Sequence, residues 1–502
     1  MTGFPAFDGE GGNEKKKDGA PATTAPVDTA NAVPVEVESV VCRHELKPRK
    51  GPTLAYTTTT GMMPIRNEKG EVEARIFYMA YTLDDPPADR PRPLMFSFNG
   101  GPGSSSVWLH LGGLAPKRVE MLPDGAMPKP PFSLVDNEHT WLAETDLVFI
   151  DPVDTGYSRA ESEDLAKQYR EIDKDIAAVG EFIRLYLTRY RRWGAPLFLV
   201  GESYGTFRAA GLAGYLIERG LAFNGIVLVS SILNLQTARF TLGNDLPHIL
   251  YVPTFAATAW FHGKVPKDLR KKKQRAFLDE VEAWVETEYA PALALGDRLP
   301  DDRRQSVANA LARYTGLSER YVEQADLRIN IHAFCKELLR DERRTVGRLD
   351  SRFQGVDRSG VAEYPEFDPS MAAIRPPFTA MLNDYVRGEL GHESDVEYHI
   401  LRGVEWNWGD AAKGYPDTSD ALRSAFAKNP YLQLFIASGY YDLATPYYGT
   451  VYTLNHMALD RSLRGNIHTE EYPVGHMVYI ERDALAKLHT DVAAFVAHAI
   501  TG

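Results

Sequence analysis

Leu197-Phe-Leu-Val-Gly-Glu-Ser-Tyr-Gly205 is the stretch on which the reading of this chain turns. Leu197 to Val200 are four apolar residues bounded by turn formers, a pattern that predicts a short buried strand rather than a helix. Gly201-Glu-Ser-Tyr-Gly205 follows as a G-x-S-x-G. Its glycines let a strand turn sharply into a helix and leave the serine hydroxyl exposed at the tip of a sheet. Phe207 to Glu218, rich in Ala, Leu and Arg, is the helix expected after such an elbow. A Gly-flanked surface turn would also carry these residues, so the decision falls to the rest of the sequence.

Working outward, three more short hydrophobic runs occur at α/β spacing: Pro93–Phe98, Asp146–Ile150 and Gly225–Val229. Between the second run and the elbow, Ser162 to Arg192 reads as one long helix. Ile172, Ile176, Val179, Ile183 and Tyr186 share one of its faces. Strand alternating with helix predicts an α/β fold, with a mostly parallel central sheet covered by helices on both faces. Upstream, Val35 to Leu46 reads as a strand, and Leu54–Ile65 with Val72–Leu83 as a hairpin around Asn67-Glu-Lys-Gly70. Residues 1–34 hold almost no large apolar side chain and are expected to be a disordered tail. The α/β rhythm stops over residues 234–429, where Lys267–Tyr289, Asp301–Tyr314 and Ser318–Leu339 are candidate helices and Phe353–Pro369 and Trp406–Pro416 are irregular. This segment is expected to be a large, mainly helical cap inserted into a core of residues 35–233 and 430–502. The β-pattern resumes at Leu432–Ser438 and Ile467–Tyr472, before a last amphipathic helix with Leu485, Leu488, Val492 and Phe495 on one side.

With 502 residues, 44% hydrophobic, the chain can bury a substantial core, and two lobes or one core with an insertion are expected. A net charge of −12 offers no basic surplus to displace counterions, which argues against nucleic-acid binding. Cys42 and Cys335 cannot build a disulfide framework. No apolar run is long enough for a membrane span, and neither a secretory signal nor an Asn-x-Ser/Thr sequon is seen. These absences point to the cytoplasm, or to the periplasm or exterior if a precursor was trimmed.

A serine hydroxyl becomes a nucleophile when a base takes its proton and a third group orients that base. On α/β-hydrolase sheets the chain order is Ser, Asp or Glu, then His, each on a loop leaving a strand. Phe435-Ile-Ala-Ser-Gly-Tyr-Tyr-Asp442 and Glu471-Tyr-Pro-Val-Gly-His476 supply an acid and a histidine in that order and setting. His456 and His468 compete weakly, because neither follows a strand into a Gly-hinged loop. The oxyanion needs N–H donors. Tyr204, directly after the serine, supplies one, and the Gly-rich Phe98-Asn-Gly-Gly-Pro-Gly-Ser-Ser-Ser106 can supply the second. That loop lacks the third glycine of a dinucleotide fingerprint and the Gly-Lys of a P-loop. With no H-E-x-x-H and no Cys/His cluster, no metal and no cofactor are assigned.

Asn99-Gly-Gly-Pro-Gly103, Gly201-Glu-Ser-Tyr-Gly205, Ser438-Gly-Tyr-Tyr-Asp442 and Gly475-His-Met477, in that order, resemble the serine carboxypeptidase family of α/β-hydrolases, its bacterial members above all. The resemblance implies a triad of Ser203, Asp442 and His476, with oxyanion donors at Gly101 and Tyr204. It also implies that Asn99 and Glu202 grip the free C-terminal carboxylate of a peptide substrate. Two like charges in contact require a shared proton, so such a grip favours acidic pH; Glu202 as a mere cap of the elbow is the plainer alternative. Three departures stand out. Ser104 replaces a disulfide-bonded cysteine, Gly113 falls where a second glutamate pairs with the first, and Asp154 replaces a glycine.

The function expected is therefore a serine exopeptidase acting through an acyl-enzyme. An esterase or acyltransferase using the same triad remains an alternative, and a catalytically silent scaffold is a third reading. Trp406, Trp408 and Tyr415 either line a side-chain pocket or pack. The oligomeric state stays open, a homodimer included.

Overall fold

The computed structural model describes residues 39–47, 52–86, 91–409 and 414–501. The expected tail over residues 1–34 lies outside them, as does the start of the strand expected from Val35. Among the described residues ten strands join in one sheet. Nine form its path: β1 (Val40–Leu46), β2 (Leu54–Arg66), β3 (Val72–Leu83), β4 (Leu94–Phe98), β5 (Asp146–Ile150), β6 (Leu197–Ser203), β7 (Gly225–Ser231), β8 (Gln433–Gly439) and β9 (Ile467–Tyr472). The spatial order is β1-β2-β3-β5-β4-β6-β7-β8-β9, and the two-residue strand Arg159–Ala160 pairs with β3 off this path. From β5 to β9 all neighbours are parallel; β1, β2 and β3 add an antiparallel edge. This is the α/β-hydrolase fold.

The strands β4 to β7 are buried along their whole length, apart from the half-buried Ser203, because helices cover both faces. Alternate residues explain how. Phe96, Leu199 and Leu228 face a cluster with α2 (Ile172–Arg189) and α3 (Tyr204–Ile217), through Val179, Phe182, Ala209 and Leu212. Met95, Phe198 and Val227 face the opposite cluster with Phe378, Leu488 and Phe495. The last two of these lie on the C-terminal helix Arg482–Thr501.

The long helix expected over Ser162–Arg192 is two helices, α1 (Glu163–Tyr169) and α2. The break sits where distant segments meet the helix. Arg170 leaves helical geometry while its carbonyl accepts the Asn407 N–H at 2.8 Å and its guanidinium reaches Asp154. The helix expected over Ser318–Leu339 likewise divides into Glu319–Gln324 and Ile331–Glu337, the second capped by Asn330. Between residues 246 and 388 the chain is mainly helical and builds its own apolar cluster around Phe255, Phe277, Leu311 and Phe334. That cluster also takes in Tyr440, Tyr441 and Leu443 from the loop after β8 and Tyr447 from the start of the helix that follows. The 20-residue helix Pro369–Gly388 is missing from the sequence reading, because Pro376 and Pro377 lie inside it and proline reads as a helix breaker.

Candidate active site

β6 ends in the elbow. Ser203 has φ 61° and ψ −130°, a backbone conformation that costs a non-glycine residue about 1–3 kcal/mol and persists only where packing fixes it. Packing does fix it. A Cβ added to Gly201 would stand 2.2 Å from the Gly205 carbonyl oxygen, and one on Gly205 2.8 Å from that of Phe98. The loop after β4 presses equally close, since a Cβ on Gly100 would stand 2.4 Å from the Tyr204 nitrogen. Gly101 follows with φ 101°, open to glycine and strained for other residues. The two oxyanion candidates, Gly101 and Tyr204, thus sit on touching segments, and Tyr204 opens α3, where backbone N–H groups have no intrahelical acceptor.

Two buried carboxylates hold this loop. Arg208 of α3 donates to both oxygens of Asp175 at 2.8 and 3.1 Å and to the Asn99 carbonyl at 2.7 Å. Asp151 accepts the Ser106 N–H and hydroxyl, both at 2.8 Å; burial pushes its carboxyl up to about 6.

Asp442 and His476 meet behind the elbow. His476 Nδ1 lies 2.6 Å from Asp442 Oδ2, with both side chains buried. Asp442 Oδ1 accepts the N–H groups of Ala444 and Thr445, and the Thr445 hydroxyl lies 2.7 Å from Oδ2. An imidazole whose Nδ1 faces a carboxylate carries its proton there and presents Nε2 as the base. Burial alone would lower the His476 pKa, but the Asp442 charge and hydrogen bond, helped by Glu202, leave it raised above its ordinary value. No hydrogen bond joins the Ser203 hydroxyl to His476 among the described residues; in empty active sites such contacts are often long and tighten with substrate. The rival histidines are elsewhere: His456 stacks on Tyr452, and exposed His468 packs against Phe495 and His498.

Residues 48–479 match the serine carboxypeptidase family. The chain belongs to that family. A 155-residue stretch is 31% identical to the pheromone-processing carboxypeptidase KEX1 of Saccharomyces cerevisiae, covering 29% of this chain and 20% of the yeast protein. A 218-residue stretch is 28% identical to serine carboxypeptidase-like 26 of Oryza sativa subsp. japonica and covers 42% of each. The chain thus spans about a fifth of the length of the yeast relative and under half of the rice one. The solved structure of yeast KEX1(delta)p, a prohormone-processing carboxypeptidase, superposes with a TM-score of 0.52 at 15% identity. That superposition covers 88% of this chain and 91% of the yeast one, a likeness of fold.

Each departure of this serine carboxypeptidase family member has a physical counterpart. Ser104 accepts the Trp108 indole N–H at 2.8 Å and forms a β-bridge with Leu401, so a hydrogen-bonded hydroxyl stands where the resemblance places a cysteine. Asp154 is not left as a free charge, because Arg170 and Arg402 both pair with it, at 2.7 and 2.6 Å. Gly113 lies under Tyr479: a Cβ there would stand 2.7 Å from the Tyr479 Cβ. The Tyr479 hydroxyl donates to Glu202 Oε2. Glu202 is buried, which pushes its carboxyl up to about 7 against the opposing pull of His476 and Tyr479. Asn99 is buried beside it; its Oδ1 accepts the Leu109 N–H at 3.0 Å, and its Nδ2 has no hydrogen-bond partner among the described residues.

Several residues that build the site were invisible in the sequence. Ser230 lies at a bulge in β7 and donates to the His476 carbonyl at 2.6 Å. Leu349 accepts the His476 N–H at 2.6 Å, and Asp350 accepts the Gly475 N–H at 3.1 Å. The same short segment bonds the other loop, since Arg348 accepts from Leu443 and Ser351 donates to Tyr441. Residues 348–351, far from both loops in sequence, therefore clamp the Asp442 and His476 loops together. Only Thr445, three residues after Asp442, left a readable sign, as a Thr placed to bond back to an Asp at the start of a turn. Trp406 and Trp408 pack edge-on around the Tyr204 ring at 5.4 and 6.1 Å, and the Tyr415 hydroxyl pairs with Thr241. The two indoles, half-buried, wall the elbow.

Proposed function

We propose that this chain is a serine exopeptidase that removes residues from the C-terminus of peptides through an acyl-enzyme. The observation that carries the reading is the Asp442–His476 pair, fixed by Thr445 and Ser230, behind a strained serine in a chain of this family. Ser203 Oγ attacks the carbonyl of the last peptide bond and passes its proton to His476 Nε2. The oxyanion is received by the N–H groups of Tyr204 and Gly101, preorganised by the close-packed loop. The C–N bond breaks as His476 returns the proton to the leaving amine, and a water activated by the same imidazole hydrolyses the ester. Asn99 and protonated Glu202 receive the substrate carboxylate. An unpartnered amide and a carboxyl that keeps its proton to near neutrality are the donors such a group requires.

The test pairs a substrate with its blocked form. Wild type should release the last residue from a free peptide far faster than from its C-terminal amide, and Ser203→Ala should remain folded but lose several orders of magnitude in rate. Equal rates on free acid and amide would refute the carboxylate grip and favour the esterase or acyltransferase alternative. Failure of a fluorophosphonate to label Ser203 in folded protein would favour the scaffold.

A further inference from the structure

The side chain of Tyr479 occupies a slot that the sequence keeps empty for it. A Cβ on Gly112 would stand 2.2 Å from Tyr479 Cε2, and one on Gly113 would meet the base of the same side chain. The ring is buried in the cluster under β4 to β8 that also holds Leu485 and Leu488. Its hydroxyl donates to Glu202 Oε2. The other groups that bear on Glu202 are the imidazole of His476, the carboxylate of Asp442 and the amide of Asn99. A phenol differs from a second carboxyl in one decisive respect. Two carboxyls share a proton and titrate as a coupled pair, whereas burial pushes the Tyr479 hydroxyl well above its ordinary value, so it remains a neutral donor wherever Glu202 titrates.

Because Oε2 accepts from Tyr479, the carboxyl proton belongs on Oε1, the oxygen left to donate to a ligand. We propose that Tyr479 is a positioning residue that orients Glu202 toward a substrate carboxylate and, by donating to it, sets the upper pH limit of that reception. The proposal rests on the carboxylate-binding reading of Asn99 and Glu202 given above. It also accounts for Gly113, since a glutamate there would need the volume that Tyr479 fills.

The experiment is the pH dependence of KM for a free-carboxylate peptide in wild type and in Tyr479→Phe, which keeps the ring and loses only the donor. In wild type KM should rise as Glu202 loses its proton near pH 7. Removing a hydrogen bond to the charged form favours the neutral one, so in Tyr479→Phe the rise moves upward by roughly half to one pH unit. In a Glu202→Gln background the same substitution should leave the KM–pH curve in place. A uniform increase in KM with no displacement would mean that Tyr479 only packs, and would overturn the proposal. If wild type proves indifferent to the substrate carboxylate, the functional reading fails separately. Isotope-edited infrared titration of the Glu202 carboxyl, without substrate, then decides the pair: an upward displacement in Tyr479→Phe supports it, and coincident curves refute it.

Discussion

Replacing Glu202 by Gln tests the site through stability, independently of any substrate. Burial raises this carboxyl from an ordinary 4.5 to about 7, partly offset by His476, the Tyr479 hydroxyl and the neighbouring Asn99 amide. A group with a raised folded pKa binds its proton more tightly folded than unfolded. Its contribution is therefore fully present below about pH 4.5 and is lost as pH rises through about 7. Across that interval, at ~1.4 kcal/mol per pH unit, the loss is at most about 3–4 kcal/mol. Gln is nearly isosteric, still accepts from Tyr479 and never ionises, so the variant escapes the loss. Denaturant midpoints of wild type and Glu202→Gln should nearly coincide at about pH 5, with the variant ahead by about 2–3 kcal/mol at about pH 9. In thermal scans this would be a shift of a few degrees. A difference that stays constant between the two pH values would refute the reasoning, because it would mean that Glu202 does not carry its proton near neutrality.

Two further substitutions probe the elbow and the histidine loop. Ser203→Gly should abolish fluorophosphonate labelling while stabilising the fold by about 1 kcal/mol, since glycine adopts φ 61° without strain; a destabilised variant would contradict the strained elbow. Gly475→Ala should lower kcat by roughly 10²-fold with a smaller change in KM. Its Cβ would stand 2.4 Å from the Asp350 Cβ and 2.6 Å from the Asp350 Cα, forcing the loop that carries His476 to move. Unchanged kcat in that variant would show that the imidazole position does not depend on the clamp.

The pH behaviour of the proposed activity follows from the same groups. His476 must be neutral to act as a base, and its pKa is raised, so activity should fall on the acid side as the imidazole protonates. Glu202 must be protonated to receive a carboxylate, so activity on free peptides should fall as pH rises through about 7. An ester without a free carboxylate should keep only the acid-side limb, and a pH–rate profile of both substrates checks this. A second, alkaline limb on the ester would exclude Glu202 as its source.

What the linear chain determined was local chemistry. Short apolar runs ending at Gly, Asp, Asn or Ser mark parallel strands, because a strand covered on both faces has no polar side to show. Four of them appear in the structure within a few residues of their expected bounds, and Asp146–Ile150 coincides. The elbow, the acid and the histidine were read for the same reason, each lying at or shortly after the end of a strand. What only the tertiary structure decided are contacts between segments distant in sequence, which no periodicity records. Leu349 and Asp350 brace His476 and Gly475 across more than a hundred residues, and Asn407 breaks a helix at Arg170. Tyr479 reaches Glu202 only because the chain returns to lay its ring on Gly112 and Gly113. Backbone pairing and a desolvated carboxyl are properties of an enclosure, and an enclosure exists only once the chain has closed around it.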